Sequence, residues 1–286
     1  MWGRVDDQQS KAALKRAFEL GITFYDTADV YGFGHSEELI AEVLGAHRDE
    51  IVIATKGGVG FKHKQLRGND SSPDHIRQAI DDSLRRLKTD VLDLYQIHWP
   101  DPRTPVEDTM NVVLEAQQAG KIRYIGVSNY DVELMKQAMN VIDLCTLQPP
   151  YSMIRRQVED EILPFCLENN IGVLAYSPMC AGLLTGKFTP DWEFDEGDWR
   201  ASNPEFRGGR YLRNLRVVDK LRVLADRLGR TVSQVAINWV LSNPAVTVAL
   251  VGAKTPKQVE QNVGAVGWRL TKSDLDEIED ILQEPE

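Results

Sequence analysis

Apolar residues recur along the chain in two alternating rhythms. Seven short runs are continuous: Ile22 to Asp26, Ile51 to Lys56, Leu92 to His98, Tyr124 to Ser128, Cys145 to Gln148, Gly172 to Tyr176 and Val248 to Val251. They are β-rich and of strand length, as strands covered on both faces should be. Between them, apolar positions fall at three-to-four spacing, the mark of a single helix face. Leu14, Ala17 and Phe18 form one such stripe, Leu39, Ile40 and Val43 a second, and Ile76, Ile80, Leu84 and Leu87 a third. Ser72-Pro73 supplies a cap and first-turn pair for the third helix. Gly120 and Gly172 stand where a left-handed residue would end a helix. Further helices are predicted from Asn214 to Leu228, Val232 to Leu241, Pro256 to Val263 and Ser273 to Leu282. Residues 188–211 are the least regular stretch and read as a long functional loop.

Strand–helix alternation implies a parallel sheet with helical crossovers. At 286 residues, the fold predicted is an α/β (β/α)8 TIM barrel forming one domain over residues 1–286. Only seven strand runs are visible, so the first barrel strand is expected to precede Met1.

Composition narrows the partners. Forty-three acidic against 33 basic side chains give a formal net charge of −10, which disfavours nonspecific binding to nucleic acid or anionic lipid. No apolar run approaches a membrane span, and the first residues lack a signal-peptide core, so the cytoplasm is expected. Cys145, Cys166 and Cys180 have no metal-ligand spacing and read as free thiols, Cys180 in a packing role. No metal site is predicted, and oligomeric state is not legible.

Candidate chemistry lies at the strand ends. Asp26, Lys56 and His98 each close a predicted strand, and Tyr31 follows Asp26 by five residues. Strand ends of a parallel barrel converge on one face. At ~4.8 Å between strands, three neighbouring ends fall within roughly 10 Å. Taken singly, Asp26 could cap a loop, Lys56 could be a solvated strand end, Tyr31 could pack and His98 could be a core histidine. Together they form a proton-transfer group. An ammonium lowers the pKa of a nearby phenol, a carboxylate aims the ammonium, and a histidine orients the acceptor oxygen.

The segments DTADVYGFGHSE, TKGG, DLYQIHWPDP, GKIRYIGVSN, LAYSPMCAGLLTGK and VGAKTPKQVEQN run in order through nearly the whole chain. They resemble the successive motifs of the aldo-keto reductase superfamily, in wording similar to the bacterial branch related to potassium-channel β subunits. The resemblance implies a catalytic tetrad of Asp26, Tyr31, Lys56 and His98, and NADPH as cofactor with NADH as the alternative. It places Ser128, Asn129 and Gln148 on the nicotinamide carboxamide and Tyr176 against the ring. The loop through Ser177, Pro178, Met179, Gly182, Leu183 and Lys187 would wrap the pyrophosphate. Gly252, Ala253 and Lys254, with Arg200, would serve the adenosine phosphate, and Gln258, Gln261 and Asn262 the adenosine. GLLTGK is not a phosphate-binding P-loop, since Ala181 and Phe188 stand where that motif needs Gly and Ser or Thr. No GxGxxG follows a strand, which argues against a Rossmann site.

The substrate implied is a small-molecule carbonyl, reduced with Tyr31 as acid. Trp2, Phe33, Trp99 and residues 192–211 are candidates for setting specificity. Two other classes fit parts of the pattern: a cofactor-binding regulatory or sensor subunit with little turnover, and an aldolase forming an imine on Lys56.

Overall fold

The computed structural model describes residues 6–285, so Trp2 lies outside the described residues. In chain order the structure runs α1 (Asp7–Glu19), β1 (Phe24–Asp26), α2 (His35–Leu44), β2 (Val52–Gly57), β3 (Val59–Lys62), β4 (Gln65–Asn69), α3 (Pro73–Leu87), β5 (Leu92–Ile97) and α4 (Val106–Gln118). It continues with β6 (Ile122–Ser128), α5 (Val132–Met139), β7 (Leu144–Gln148), α6 (Ile162–Glu168), β8 (Gly172–Tyr176), α7 (Gly208–Arg227), α8 (Val232–Ser242), β9 (Val246–Leu250), α9 (Pro256–Val263) and α10 (Lys272–Leu282).

Seven strands pair in parallel in the order β1-β2-β5-β6-β7-β8-β9. These are the seven apolar runs of the sequence, and the helices between them make it a (β/α)8-type barrel. The sheet curls until its edges converge. Ala54, Leu94 and Leu174 form a small interior cluster, and Phe24 of β1 packs against it together with Val248 and Leu250 of β9. Outside, α1 lies against α9, where Arg16 pairs with Glu260 at 2.8 Å. At the strand starts, the buried Asp93 of β5 binds Arg48 at 2.7 Å and Arg123 at 2.6 Å and accepts the Ile53 amide. Charge there knits three segments together, far from the strand ends.

Two sequence expectations are corrected and one element is added. Gly172 does not end a helix: it begins β8, and the left-handed residue after α6 is Asn170 (φ 57°). Asparagine tolerates that conformation because its short polar side chain bonds locally. Helix α7 starts at Gly208, six residues before Asn214, so the irregular loop is shorter than its expected end at Tyr211. The β3–β4 hairpin was not predicted at all, because its exposed polar residues carry no apolar run. Gly120 does sit left-handed just past α4 (φ 77°).

Candidate active site

The strand ends do meet. Lys56, at the end of β2, has a side chain with no exposed surface, and its Nζ lies 2.6 Å from Asp26 Oδ2 and 2.8 Å from the Thr27 carbonyl. The other Asp26 oxygen accepts from Gln148 Nε2 at 2.8 Å, so the carboxylate is held on both sides. The Tyr31 ring stands 5.2 Å from Lys56 Nζ and edge-on to His98, with ring centroids 5.7 Å apart. Tyr31 opens a tight turn in which Gly32, Phe33 and Gly34 all have positive φ. A Cβ on Gly34 would come within 2.6 Å of Arg86 Cδ, so this position requires glycine for space as well as for conformation.

Electrostatics correct one expectation. Lys56 does pull the Tyr31 pKa down, but burial of the phenol outweighs it, and the net shift is upward. The residue as a whole is 42% exposed, yet burial is the largest influence on its phenol. Tyr31 is therefore a phenol that holds its proton until negative charge forms nearby. Burial and the Lys56 charge pull His98 down to about 3, so its imidazole is neutral, and its Nδ1 is buried without a partner among the described residues.

The residues expected around a nicotinamide form one network at the ends of β6, β7 and β8. Ser128 Oγ donates to the Gln148 carbonyl (2.9 Å), Asn129 Nδ2 to the His98 carbonyl (3.0 Å), and the Tyr176 hydroxyl to Asn129 Oδ1 (2.9 Å). Asn129 achieves this from a left-handed backbone (φ 61°). After β8, Ser177, Cys180, Ala181 and Gly182 all turn left-handed, and residues 180–185 of the loop pack against α7 and α8. Pro178 and Met179 lie in this loop, while the Leu183 side chain is buried in the core and leaves only its backbone to a ligand. Cys180 is buried and its thiol is pushed up to about 11, which fits packing rather than reactivity.

Lys187, Arg200 and Lys254 gather beyond that loop. Burial and the charges of Arg200 and Lys254 lower the Lys187 pKa. Arg200 is forked onto Asp198 (2.5 Å) and reaches the Ala181 carbonyl at 3.5 Å, fastening the long loop to the turn. Gly252 and Ala253 lead into α9. Gln258 spends its side-chain oxygen on the Lys254 amide (2.7 Å), so it shapes this turn. Gln261 and Asn262 follow on the last turn of α9, with Gln261 exposed. A neutral amide cluster at one end, an aromatic ring beside it and three cations at the other match the polarity of a nicotinamide dinucleotide.

Two features escaped the sequence. The β3–β4 hairpin places Phe61 5.5 Å from Phe33 and is tied to the segment after His98 through Asn69 Nδ2 and the Pro100 carbonyl (3.0 Å). Each of Tyr31, Lys56 and His98 is thus followed within five residues by an aromatic: Phe33, Phe61 and Trp99. Behind Lys56, Glu37 accepts from Thr55 Oγ1 and Arg86 Nε, both at 2.6 Å. Glu37 and Arg86 are 49 positions apart, and no local signal joins them.

A parallel barrel that brings a phenol, an ammonium, a carboxylate and a neutral imidazole to one mouth defines a class: oxidoreductases working between carbonyl and alcohol. The aldo/keto reductase family profile matches residues 1–283, and the chain belongs to that family. It is 40% identical over 286 residues to the aldo-keto reductase YhdN of Bacillus subtilis, covering 99% of this chain and 86% of that one. It is 34% identical to the NADH-specific methylglyoxal reductase of Escherichia coli, covering 95% and 87%. Among solved structures, the glycerol dehydrogenase AKR11B4 of Gluconobacter oxydans superposes with a TM-score of 0.92 at 39% identity, covering 98% of this chain and 87% of that chain.

Proposed function

We propose that this chain reduces a small aldehyde or ketone with NADPH, and catalyses the reverse oxidation, with the Tyr31 phenol donating the proton to the carbonyl oxygen. The observation that carries this reading is the Asp26–Lys56–Tyr31–His98 arrangement, with Lys56 Nζ 2.6 Å from Asp26 and 5.2 Å from the phenol ring. A bound NADPH would supply the hydride to the carbonyl carbon.

Negative charge then grows on the substrate oxygen. Tyr31 holds a proton ready for it, and Lys56 sits where the resulting phenolate is stabilised. Asp26, itself held by Gln148, and the Thr27 carbonyl fix the lysine. His98 is neutral, so it offers a hydrogen bond to the oxygen without adding a cation that would lower the charge contrast. An imine on Lys56 finds no support, since its nitrogen is committed to Asp26 and the Thr27 carbonyl.

Lys187, Arg200 and Lys254 favour the extra phosphate of NADPH, yet a relative is named NADH-specific, so both cofactors belong in the assay. Among the described residues no helix is long and apolar enough to cross a membrane, and three free thiols suit a reducing cytoplasm.

Turnover of each cofactor with a panel of aldehydes and ketones tests the activity. Tyr31→Phe tests the acid: a fall of about 10²–10⁴-fold in kcat is expected, with cofactor binding by fluorescence unchanged. Full turnover in that variant refutes the role given to Tyr31.

A further inference from the structure

A second layer of buried charge lies behind the Lys56–Asp26 pair, and the proposed chemistry does not use it. Thr55 alternates with Lys56 along β2 and so faces the helices, where it meets Glu37 of α2, itself ion-paired with Arg86 of α3 at 2.6 Å. Glu37 is fully buried, and the Arg86 side chain is 10% exposed. Asp29 joins this layer from the loop after β1, two residues before Tyr31. It is 1% exposed, and its Oδ1 meets no hydrogen-bond donor among the described residues. Its backbone N–H donates to the Lys56 carbonyl at 3.0 Å, tying the loop to the lysine. The Tyr95 hydroxyl of β5 is equally buried and without a partner, and it lies against Gly57, where a Cβ would meet it at 2.1 Å.

The charges do not balance if Asp29 is ionised. In number, the cations of this region, Lys56 and Arg86, are already matched by Asp26 and Glu37, although Arg86 reaches Glu37 through Nε and its Nη2 is itself buried without a partner among the described residues. A third carboxylate would leave one uncompensated negative charge out of reach of water. A buried acid avoids that state by keeping its proton.

We propose that Asp29 is a positioning residue for the tetrad: a buried acid kept neutral in the working enzyme, whose ionisation places a negative charge behind Lys56 and Tyr31 and slows carbonyl reduction. The proposal rests on the reading of Tyr31 as proton donor. The groups facing Asp29 are Glu37 from α2, Arg86 from α3, Lys56 from β2, Tyr95 from β5 and Tyr31 from its own loop. Burial first, then Glu37, push its carboxyl up to about 7, against the opposing pull of Arg86, the Val30 amide and Lys56. An ionised Asp29 raises the Tyr31 pKa further. A weaker acid gives up its proton less readily, so reduction slows as pH rises through this titration. Stability follows the same sign. The folded chain keeps a proton that the unfolded chain releases near 3.8, so Asp29 costs stability increasingly as pH climbs from about 4 to about 7.

The test compares wild type with Asp29→Asn, an isosteric side chain that cannot ionise. With saturating cofactor, the wild-type kcat for reduction should fall severalfold across neutral pH along a limb that the variant lacks. The variant's denaturation midpoint should gain on wild type at about pH 8 relative to about pH 5. Superimposable pH profiles, or a stability difference that does not change with pH, overturn the proposal. Infrared spectra of the wild type alone give a reading independent of whether the variant folds. A protonated-carboxyl band at about pH 6 that disappears by about pH 9 is expected, and its absence at pH 6 overturns the proposal. Tyr31→Phe separates the two claims: undiminished turnover there defeats the Tyr31 reading, while the carboxyl band would still report on Asp29.

Discussion

Lys56 Nζ lies 2.6 Å from Asp26 Oδ2, with the lysine side chain wholly buried and the aspartate side chain 14% exposed. The pair is worth little as a source of net stability, because two desolvated charges roughly cancel their own attraction. Removing one member is a different matter, since the other is left alone inside the barrel mouth.

Lys56→Met should therefore lose about 3–5 kcal/mol of folding stability as well as activity. Urea denaturation measures the first and carbonyl-dependent cofactor oxidation the second. A variant as stable as wild type would mean that water reaches Asp26 more freely than its hydrogen bonds to Lys56 and Gln148 suggest.

His98 gives a stability prediction with a defined sign. Its folded pKa is pulled down to about 3 from the ordinary 6.5. Between those values the unfolded chain takes up a proton that the folded chain refuses. Its contribution is thus present above about 6.5 and is lost as pH falls, by up to about 1.4 kcal/mol for each pH unit. His98→Gln removes that slope. Denaturation midpoints of the two proteins at about pH 7 and about pH 5 should diverge, and parallel behaviour would contradict a neutral buried imidazole.

The cationic trio predicts cofactor choice. Lys254→Ala should weaken NADPH binding about tenfold or more, the worth of one charge-assisted contact, and change NADH binding much less. Fluorescence titrations with both cofactors decide it. Equal losses would move the 2′-phosphate away from Lys254.

The hairpin predicts substrate shape. Phe61 and Phe33 stand 5.5 Å apart, and Phe61→Ala opens the space between them. The ratio of kcat/KM for long over short aldehydes should shift by about 10-fold, the scale of one or two methylenes in an apolar pocket. An unchanged ratio would show that the substrate does not touch this wall.

The barrel strands were legible because each is buried on both faces, which writes a continuous apolar run into the chain. Asp26, Lys56 and His98 were legible for the complementary reason: each is a polar residue closing such a run. The direction of the Tyr31 shift was not. It depends on weighing burial against the Lys56 charge, and a sequence contains the charge but not the burial. The Glu37–Arg86 pair and the unmatched Asp29 escaped for a related reason, since three elements must assemble before their charges can be counted. The hairpin carried no apolar rhythm, and Asn170 concealed a helix end because asparagine signals that turn less strongly than the nearby Gly172.

The meeting of α1 with α9 also has a consequence for how the molecule comes together and comes apart. Arg16 and Glu260 are separated by 244 positions, so this seam waits for the last part of the chain and is entropically the dearest contact to form. A seam formed last, with no backbone pairing between β1 and β9 among the described residues, should loosen first, and amide exchange ought to be quickest along those two strands. Lys254 lies just before α9, six residues from Glu260, so a dinucleotide gripping that corner would act as a staple across the ring, slowing exchange at the far strand as well as the near one.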